Sequence, residues 1–324
     1  MHNDPQNRRN FLQSAGGVVG AAMAAAWLPS AARAGEAPAV GHPIRLGGPI
    51  FQTSDDPEAM ALAHKKLGYR AAYCPNAALD NAQRIRDLSR AFARHDVILA
   101  EVGRWCNLLD PDATRRAANL KTVTEGLALA EAVGARCCVD IAGSFNPQVW
   151  FGPHAENLSR RFFDAAVENA RKIIDAVRPK RARFCYEMMG WALPDTADSY
   201  RELIAAVDRK AMAVHLDPCN VVNSPGRFYN TTAVLNELFD KLGPWIVSCH
   251  AKDIAWSNPV EMNVHILEVL PGKGVLDYGT YLKRLAGLPG DVPLMLEHLS
   301  TAEEYDKGRR YIMEAGGKAG VRFE

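Results

Sequence analysis

The chain has 324 residues, with 38 lysines and arginines against 37 aspartates and glutamates, a formal net charge of +1. No Lys/Arg block is dense enough to track a phosphate backbone, so nucleic acid is not an expected partner. Beyond residue 34 the length suits one large α/β barrel better than two average domains.

The chain opens with Asn7-Arg8-Arg9-Asn10-Phe11-Leu12-Gln13, followed by an Ala/Gly-rich apolar run over 16–28 and by Ala32-Arg33-Ala34. The paired arginines resemble the twin-arginine export signature, and Ala32-Arg33-Ala34 has the small-x-small pattern that a signal peptidase cleaves. Residues 1–34 are therefore expected to be a signal peptide and 35–324 the folded domain, with the mature protein periplasmic or secreted. The apolar run is short and alanine-rich for a span, so no stable membrane insertion is expected after cleavage. Of the seven cysteines, Cys74, Cys137, Cys138, Cys185 and Cys249 sit in apolar runs, where a thiol packs as a small hydrophobe. No structural disulfide is expected, and neighbouring Cys137 and Cys138 should point to opposite sheet faces.

From residue 44 onward, short apolar runs alternate with amphipathic helical stretches in eight units, the pattern of a parallel sheet with crossover helices. Strand one is expected over 44–46, and its helix starts after Ser54-Asp55 and stops at Gly68. Strand two covers 69–74, followed by a helix over 79–95 with Ile85, Leu88 and Phe92 on one face. Strand three covers 97–102 and leads into a loop with Trp105 and Asn107, before a helix from Asp110-Pro111 to Gly134. Strand four covers 137–141, with a long loop over 143–154 and a helix over 157–177. Strands five, six and seven are expected over 183–187, 213–217 and 246–251. An insertion over 253–274 then precedes a helix over 277–285, strand eight over 293–297 and a last helix over 301–314. The tail, 316–324, should lie along the barrel. The fold class is α/β, a single-domain (β/α)8 TIM barrel.

Four of these strands end on metal-capable side chains: Glu187, Asp217, His250 and Glu297. Ligands in parallel α/β proteins bind beyond the carboxyl ends of the strands, so the four could meet at one point. Three carboxylates converging without a cation would repel one another, which argues for a bound divalent ion. This oxygen-rich set suits Mn²⁺ first, with Mg²⁺, Co²⁺ or Zn²⁺ as alternatives. Two residues before each ligand, on the same strand face, stand Cys185, His215, Ser248 and Met295. His215 is expected to hydrogen-bond inside the barrel rather than to bind the ion. His250 needs an acceptor for its other ring nitrogen, which the sequence does not identify. Lys252 shares a face with His250, and its ammonium either approaches a substrate oxygen or pairs with a rim carboxylate.

His250-Ala-Lys252-Asp253 resembles the His-x-Lys-Asp motif of the xylose-isomerase-like TIM barrels, and Pro271-Gly272-Lys273-Gly274-Val275-Leu276-Asp277-Tyr278 resembles that superfamily's Pro-Gly-x-Gly-x-x-Asp-Tyr segment. The resemblance covers the chain after residue 40 and points to the sugar isomerase/epimerase branch, with tagatose/psicose 3-epimerases, hydroxypyruvate isomerase and inosose dehydratase. It implies that Glu187, Asp217, His250 and Glu297 hold the metal, and that Glu187 and Glu297 also remove and return the substrate proton, with Lys252 as a further catalytic group. It also implies a small carbohydrate substrate and assembly as a homodimer or homotetramer.

Asn220, Trp191, Trp105, Asn107 and His154 are candidates for substrate contact, and Trp256 and His298 are weaker ones. Aromatics of the 143–154 loop either stack on a sugar or close the loop over the rim. The ketose 3-epimerases carry a glutamate where this chain has Leu193 and a histidine where it has Asn220. Those departures turn the reading away from a free ketohexose. Isomerisation or epimerisation through an enediolate is the first reading. Elimination of water or an aglycone from a keto-sugar or inosose is the second, and a non-catalytic periplasmic sugar-binding barrel the third. An abasic-site endonuclease, which shares the fold by resemblance, would need more histidines than these nine and a basic face.

Overall fold

Eight parallel strands close a barrel in the computed structural model, which describes residues 41–324 apart from 53 and 258–262. The signal peptide expected over 1–34 lies outside the described residues. Strands β1 (Arg45–Gly47), β2 (Ala71–Tyr73), β3 (Ile98–Gly103), β4 (Cys137–Asp140), β5 (Arg183–Glu187), β6 (Met212–Leu216) and β7 (Ile246–Ala251) pair in sequence. β8 (Asp253–Trp256) and β9 (Ile266–Val269) form a separate antiparallel hairpin, and β10 (Pro293–Leu296) closes the ring between β7 and β1.

The surrounding helices are α1 (Pro57–Lys66), α2 (Ala82–Arg94), α3 (Ala113–Val133), α4 (Arg160–Val177), α5 (Ala197–Val207), the short α6 (Pro225–Phe228), α7 (Thr231–Leu242), α8 (Tyr278–Ala286) and α9 (Ala302–Ala319). Local chemistry sets their ends. Asp56 accepts from the amides of Glu58 and Ala59, with Pro57 at the first helical position. Thr301 and Glu304 form a reciprocal capping box at the start of α9. Ile85, Leu88, Ala91 and Phe92 face the sheet from α2, and burying a side chain as large as Leu88 or Phe92 contributes about 1.5–3 kcal/mol.

Side chains divide between two apolar layers. Leu88, Leu127, Phe162 and Leu235 pack between sheet and helices, whereas Cys137, Val139, Cys185 and Ala213 fill the barrel itself. Cys138 belongs to the outer layer and Cys137 to the inner, as strand alternation requires. All seven cysteines are free thiols. The strict alternation fails on β3, where Ala72 pairs with Leu99 and Tyr73 with Glu101, leaving Ala100 as an extra residue. That bulge turns both Ala100 and Glu101 toward the interior.

One expectation is corrected. The last helix continues to Ala319 instead of ending near 314, where Gly316 offers no side chain and the Phe323 ring folds against it. The end of the tail lies against the barrel, with Phe323 bridged to Ile44 at the entry to β1, where the Ile44 amide donates to the Arg322 carbonyl at 2.9 Å. The insertion over 253–274 contains the β8–β9 hairpin.

Candidate active site

Two motifs that are far apart in sequence form one physical unit beside β7. The Asp253 carboxylate accepts four backbone hydrogen bonds, from Ile254 and Leu276 on Oδ1 and from Gly272 and Gly274 on Oδ2, at 2.9 to 3.0 Å. A β-carbon on Gly274 would collide with the Ile254 carbonyl and the Asp253 carboxylate, and Gly272 has a φ of +90°. Tyr278 donates to the Lys252 carbonyl at 2.7 Å and Tyr281 to the His250 carbonyl at 2.8 Å. The hairpin and α8 thereby brace the backbone that presents His250 and Lys252.

At the carboxyl ends of β5, β6, β7 and β10 the side chains of Glu187, Asp217, His250 and Glu297 converge, each offering an atom within 4.8 Å of the others. His250 Nδ1 lies 2.7 Å from Glu297 Oε1, 3.1 Å from Glu187 Oε1 and 3.9 Å from Asp217 Oδ2. The Lys252 ammonium lies in the same cluster, 2.7 Å from Asp217 Oδ2 and 2.5 Å from Glu297 Oε1. Despite that proximity, neither of those two oxygens accepts a well-directed hydrogen bond. Three carboxylates and an imidazole nitrogen facing one point, with oxygens short of directed donors, fit a divalent cation.

Beneath this cluster lies a second one, which strand periodicity did not predict. Glu101 reaches inward from β3 and accepts from His215 Nε2 at 2.9 Å, from His250 Nε2 at 3.2 Å and from Ser248 Oγ. His215 accordingly bonds inside the barrel, as expected. The acceptor that His250 required for its second ring nitrogen is Glu101.

The electrostatics follow from burial set against neighbours. Burial alone would push Glu101 up, but the His215 and His250 rings hold its carboxyl below the usual range. Glu187 is likewise raised by burial and brought below the usual range by His250 and Lys252. Asp217 goes the other way, to about 6, because burial and the repulsion of Glu187 and Glu297 outweigh Lys252. His250, which burial alone would lower, is raised well above the ordinary imidazole range by Glu297, Glu101 and Glu187.

The remaining candidates divide. Trp105 is 44% exposed with its ring centroid 6.5 Å from that of His250, and Trp191 is exposed just after β5. Asn220 donates to Glu187 Oε1 and to the Met188 carbonyl, both at 3.1 Å, so its amide nitrogen holds a carboxylate instead of reaching toward a ligand. Asn107 is a correction: it is buried, its Nδ2 donates to the Ser144 carbonyl and its Oδ1 accepts from the amides of Leu109 and Ser144, which makes it a loop anchor. His154 is exposed, accepts from the Glu156 amide and lines a groove of 630 Å³ shared with Arg116, Arg161 and Lys172 of α3 and α4. A separate cavity of 420 Å³ opens at Lys252 and Glu297, bounded by Glu268, Lys273 and His298. Glu268, on β9, bonds His298 Nδ1 at 2.7 Å and lies 3.5 Å from the Lys252 ammonium, a contact hidden in the sequence because the hairpin looked like a loop.

Comparison with known proteins finds the same fold elsewhere. Solved structures with the same fold include a xylose isomerase-like TIM barrel protein from Mycobacterium smegmatis in complex with magnesium, 19% identical, with a TM-score of 0.60 over 86% of this chain and 98% of that one. The probable 3-DHS dehydratase of Bacillus anthracis is 14% identical, with a TM-score of 0.59 over 84% and 98%. The 3-keto-D-glucoside 4-epimerase of E. coli is also 14% identical, with a TM-score of 0.58 over 84% and 99%. No curated protein sequence matches the chain. A family model described as xylose isomerase-like TIM barrel matches residues 62–315, most of the described chain, and the chain belongs to that family.

Proposed function

We propose that the protein is a metal-dependent sugar isomerase or epimerase that acts on a keto-sugar or a polyol-derived carbonyl compound by proton abstraction. The observation that carries this reading is the convergence of Glu187, Asp217, Glu297 and His250 Nδ1 around one point at the carboxyl end of the barrel. A divalent ion held by these four, Mn²⁺ first by the hardness of the donors, would supply Lewis-acid polarisation of a carbonyl and its neighbouring hydroxyl. The Glu187 and Glu297 carboxylates are the groups able to remove a proton from the carbon between those oxygens and return it. Asn220 orients Glu187 through Oε1. The Lys252 ammonium, counter-charge to Asp217 and Glu297, is the donor available to a substrate oxygen. Trp105 and Trp191 supply exposed aromatic faces for the apolar side of a sugar.

A lyase that eliminates water or an aglycone is the second reading, favoured by the Glu268–His298 pair. His298 Nε2 lies 3.6 Å from Glu297 Oε2, which puts a proton donor for a leaving group beside the proposed base. Residues 1–34 support export by the twin-arginine route, which N-terminal mass analysis of the mature protein tests.

The deciding experiment is metal analysis of the purified protein and its His250→Ala variant, followed by NMR of keto-sugars in D₂O. One ion per chain, lost in the variant, with deuterium entering at an inverted or transposed carbon, is the expected result. A dehydrated product selects the lyase. Wild-type protein that takes up none of Mn²⁺, Mg²⁺, Co²⁺ and Zn²⁺ overturns the proposal and leaves a sugar-binding barrel.

A further inference from the structure

We infer that Glu101 is the positioning residue of the metal centre: it fixes the tautomer of His250, so that Nδ1 and not Nε2 is the ligand atom. The inference rests on the metal reading above and adds to it a residue that has no place among the four converging ligands.

Glu101 stands on β3, on the far side of the ring from β7, and crosses the barrel to meet His250. Its side chain and those of His215 and His250 are fully excluded from solvent. Three donors converge on it: the Nε2 atoms of two histidines, at 2.9 and 3.2 Å, and the Ser248 hydroxyl. A buried carboxylate is an obligatory acceptor, so Nε2 of His250 keeps its proton on Glu101, and Nδ1, which faces Glu187, Asp217 and Glu297, is the nitrogen whose proton a bound cation displaces. The His215 ring packs edge-on against His250, with centroids 4.1 Å apart, and blocks the ring from turning. Glu101 thus holds one side of the imidazole while the metal-facing side stays available.

Glu101, His215 and His250 also satisfy the spacing of a metal site in their own right. The hydrogen bonds argue against a second ion there. Nε2 of both imidazoles and the Ser248 hydroxyl are spent as donors on the two Glu101 oxygens, so those atoms offer no lone pair to a cation, whereas the upper cluster sets three carboxylates against one lysine and one imidazole nitrogen. Glu101 is a hydrogen-bond hub, and the centre holds one ion.

Mn²⁺ titration of wild-type protein and Glu101→Gln, followed by electron paramagnetic resonance, tests both statements. The expected result is one ion per wild-type chain and binding about 10–100-fold weaker in the variant, the usual effect of losing a partner that orients a ligand. A second readout needs no substitution: wild-type protein with isotope-labelled histidine is loaded with a magnetic cadmium isotope, and scalar coupling is expected to His250 Nδ1. Coupling to Nε2, or Glu101→Gln binding Mn²⁺ as tightly as wild type, overturns the inference while the metal reading stands. Two ions per chain, one of them lost in Glu101→Gln, also overturns it by making Glu101 a ligand. Wild-type protein that binds neither metal removes the metal reading and this inference together. If Glu101→Gln does not fold, the cadmium measurement decides alone.

Discussion

The two clusters that share His250 obey opposite rules. Below the ring, Glu101 receives three donors, so both of its oxygens are satisfied. Above it, Asp217 Oδ2 and Glu297 Oε1 have only charge contacts with Lys252 and His250 and no well-directed hydrogen bond. Both Glu101 oxygens are satisfied below the ring, where only His215 Nδ1 lacks a partner, so the lower cluster is scaffold, and the carboxylate oxygens without directed donors above mark where chemistry happens. Removing a group from each cluster should therefore fail differently.

The largest effect is expected at Glu297. Glu297→Gln keeps the shape and removes the proton carrier, so solvent deuterium exchange into substrate should fall by about 10²–10⁴-fold. The metal-free variant should also lose stability, because Lys252 and His250 lose a buried carboxylate whose attraction to them outweighs its repulsion with Glu187. Urea unfolding of the metal-free variant checks the second half, and unchanged stability would mean that repulsion among the three carboxylates cancels the pairing.

Lys252→Met sharpens the contrast from the other side. Lys252 is 3% exposed and is the only lysine or arginine that ion-pairs with Asp217 or Glu297 among the described residues. Deleting one partner of a buried ion pair costs about 3–5 kcal/mol, which should appear as a lower urea midpoint in the metal-free protein. Added Mn²⁺ should restore much of that loss by binding only the folded state. Destabilisation that Mn²⁺ does not relieve would break the link between the lysine and the cation site.

The brace around β7 should respond more weakly. Asp253→Asn replaces one of two acceptor oxygens with an amide group facing the backbone donors of the 272–276 turn, at about 1–3 kcal/mol for an unsatisfied buried group. Hydrogen exchange should quicken in β8, β9 and that turn before it does in the barrel strands.

How far these clusters were legible in the sequence follows from their geometry. Glu187, Asp217, His250 and Glu297 could be found because each closes an apolar run, and strand ends in a parallel barrel point to one place. The alternation also set His215 beneath them. Glu101 escaped for a definite reason: the bulge at Ala100 shifts the face by one residue, so a two-residue period counts Glu101 as outward. Asn107 misled in the opposite way, since loop polarity signals exposure but does not reveal that a side chain is committed to its own loop. Glu268 lay in a stretch read as insertion, where pairing with β8 is a non-local fact.

The smallest effect isolates the role of the carboxylate in this contrast. His64 on α1 is a buried histidine packed on Phe92 at 5.6 Å, with Nδ1 bonded to the Met60 carbonyl at 2.9 Å. Burial lowers its affinity for a proton, whereas the carboxylates around His250 raise that of the other ring. The unfolded chain therefore binds a proton at His64 more readily than the folded one, so its contribution to stability is full above about pH 6.5 and is lost as pH falls from there toward the depressed folded value. The loss amounts to at most about 1.4 kcal/mol per pH unit. The urea midpoint of wild type should fall relative to that of His64→Leu as pH falls across that range, because the variant lacks this one term. A difference independent of pH would mean that the folded protein accommodates an imidazolium at His64 without a carboxylate beside it.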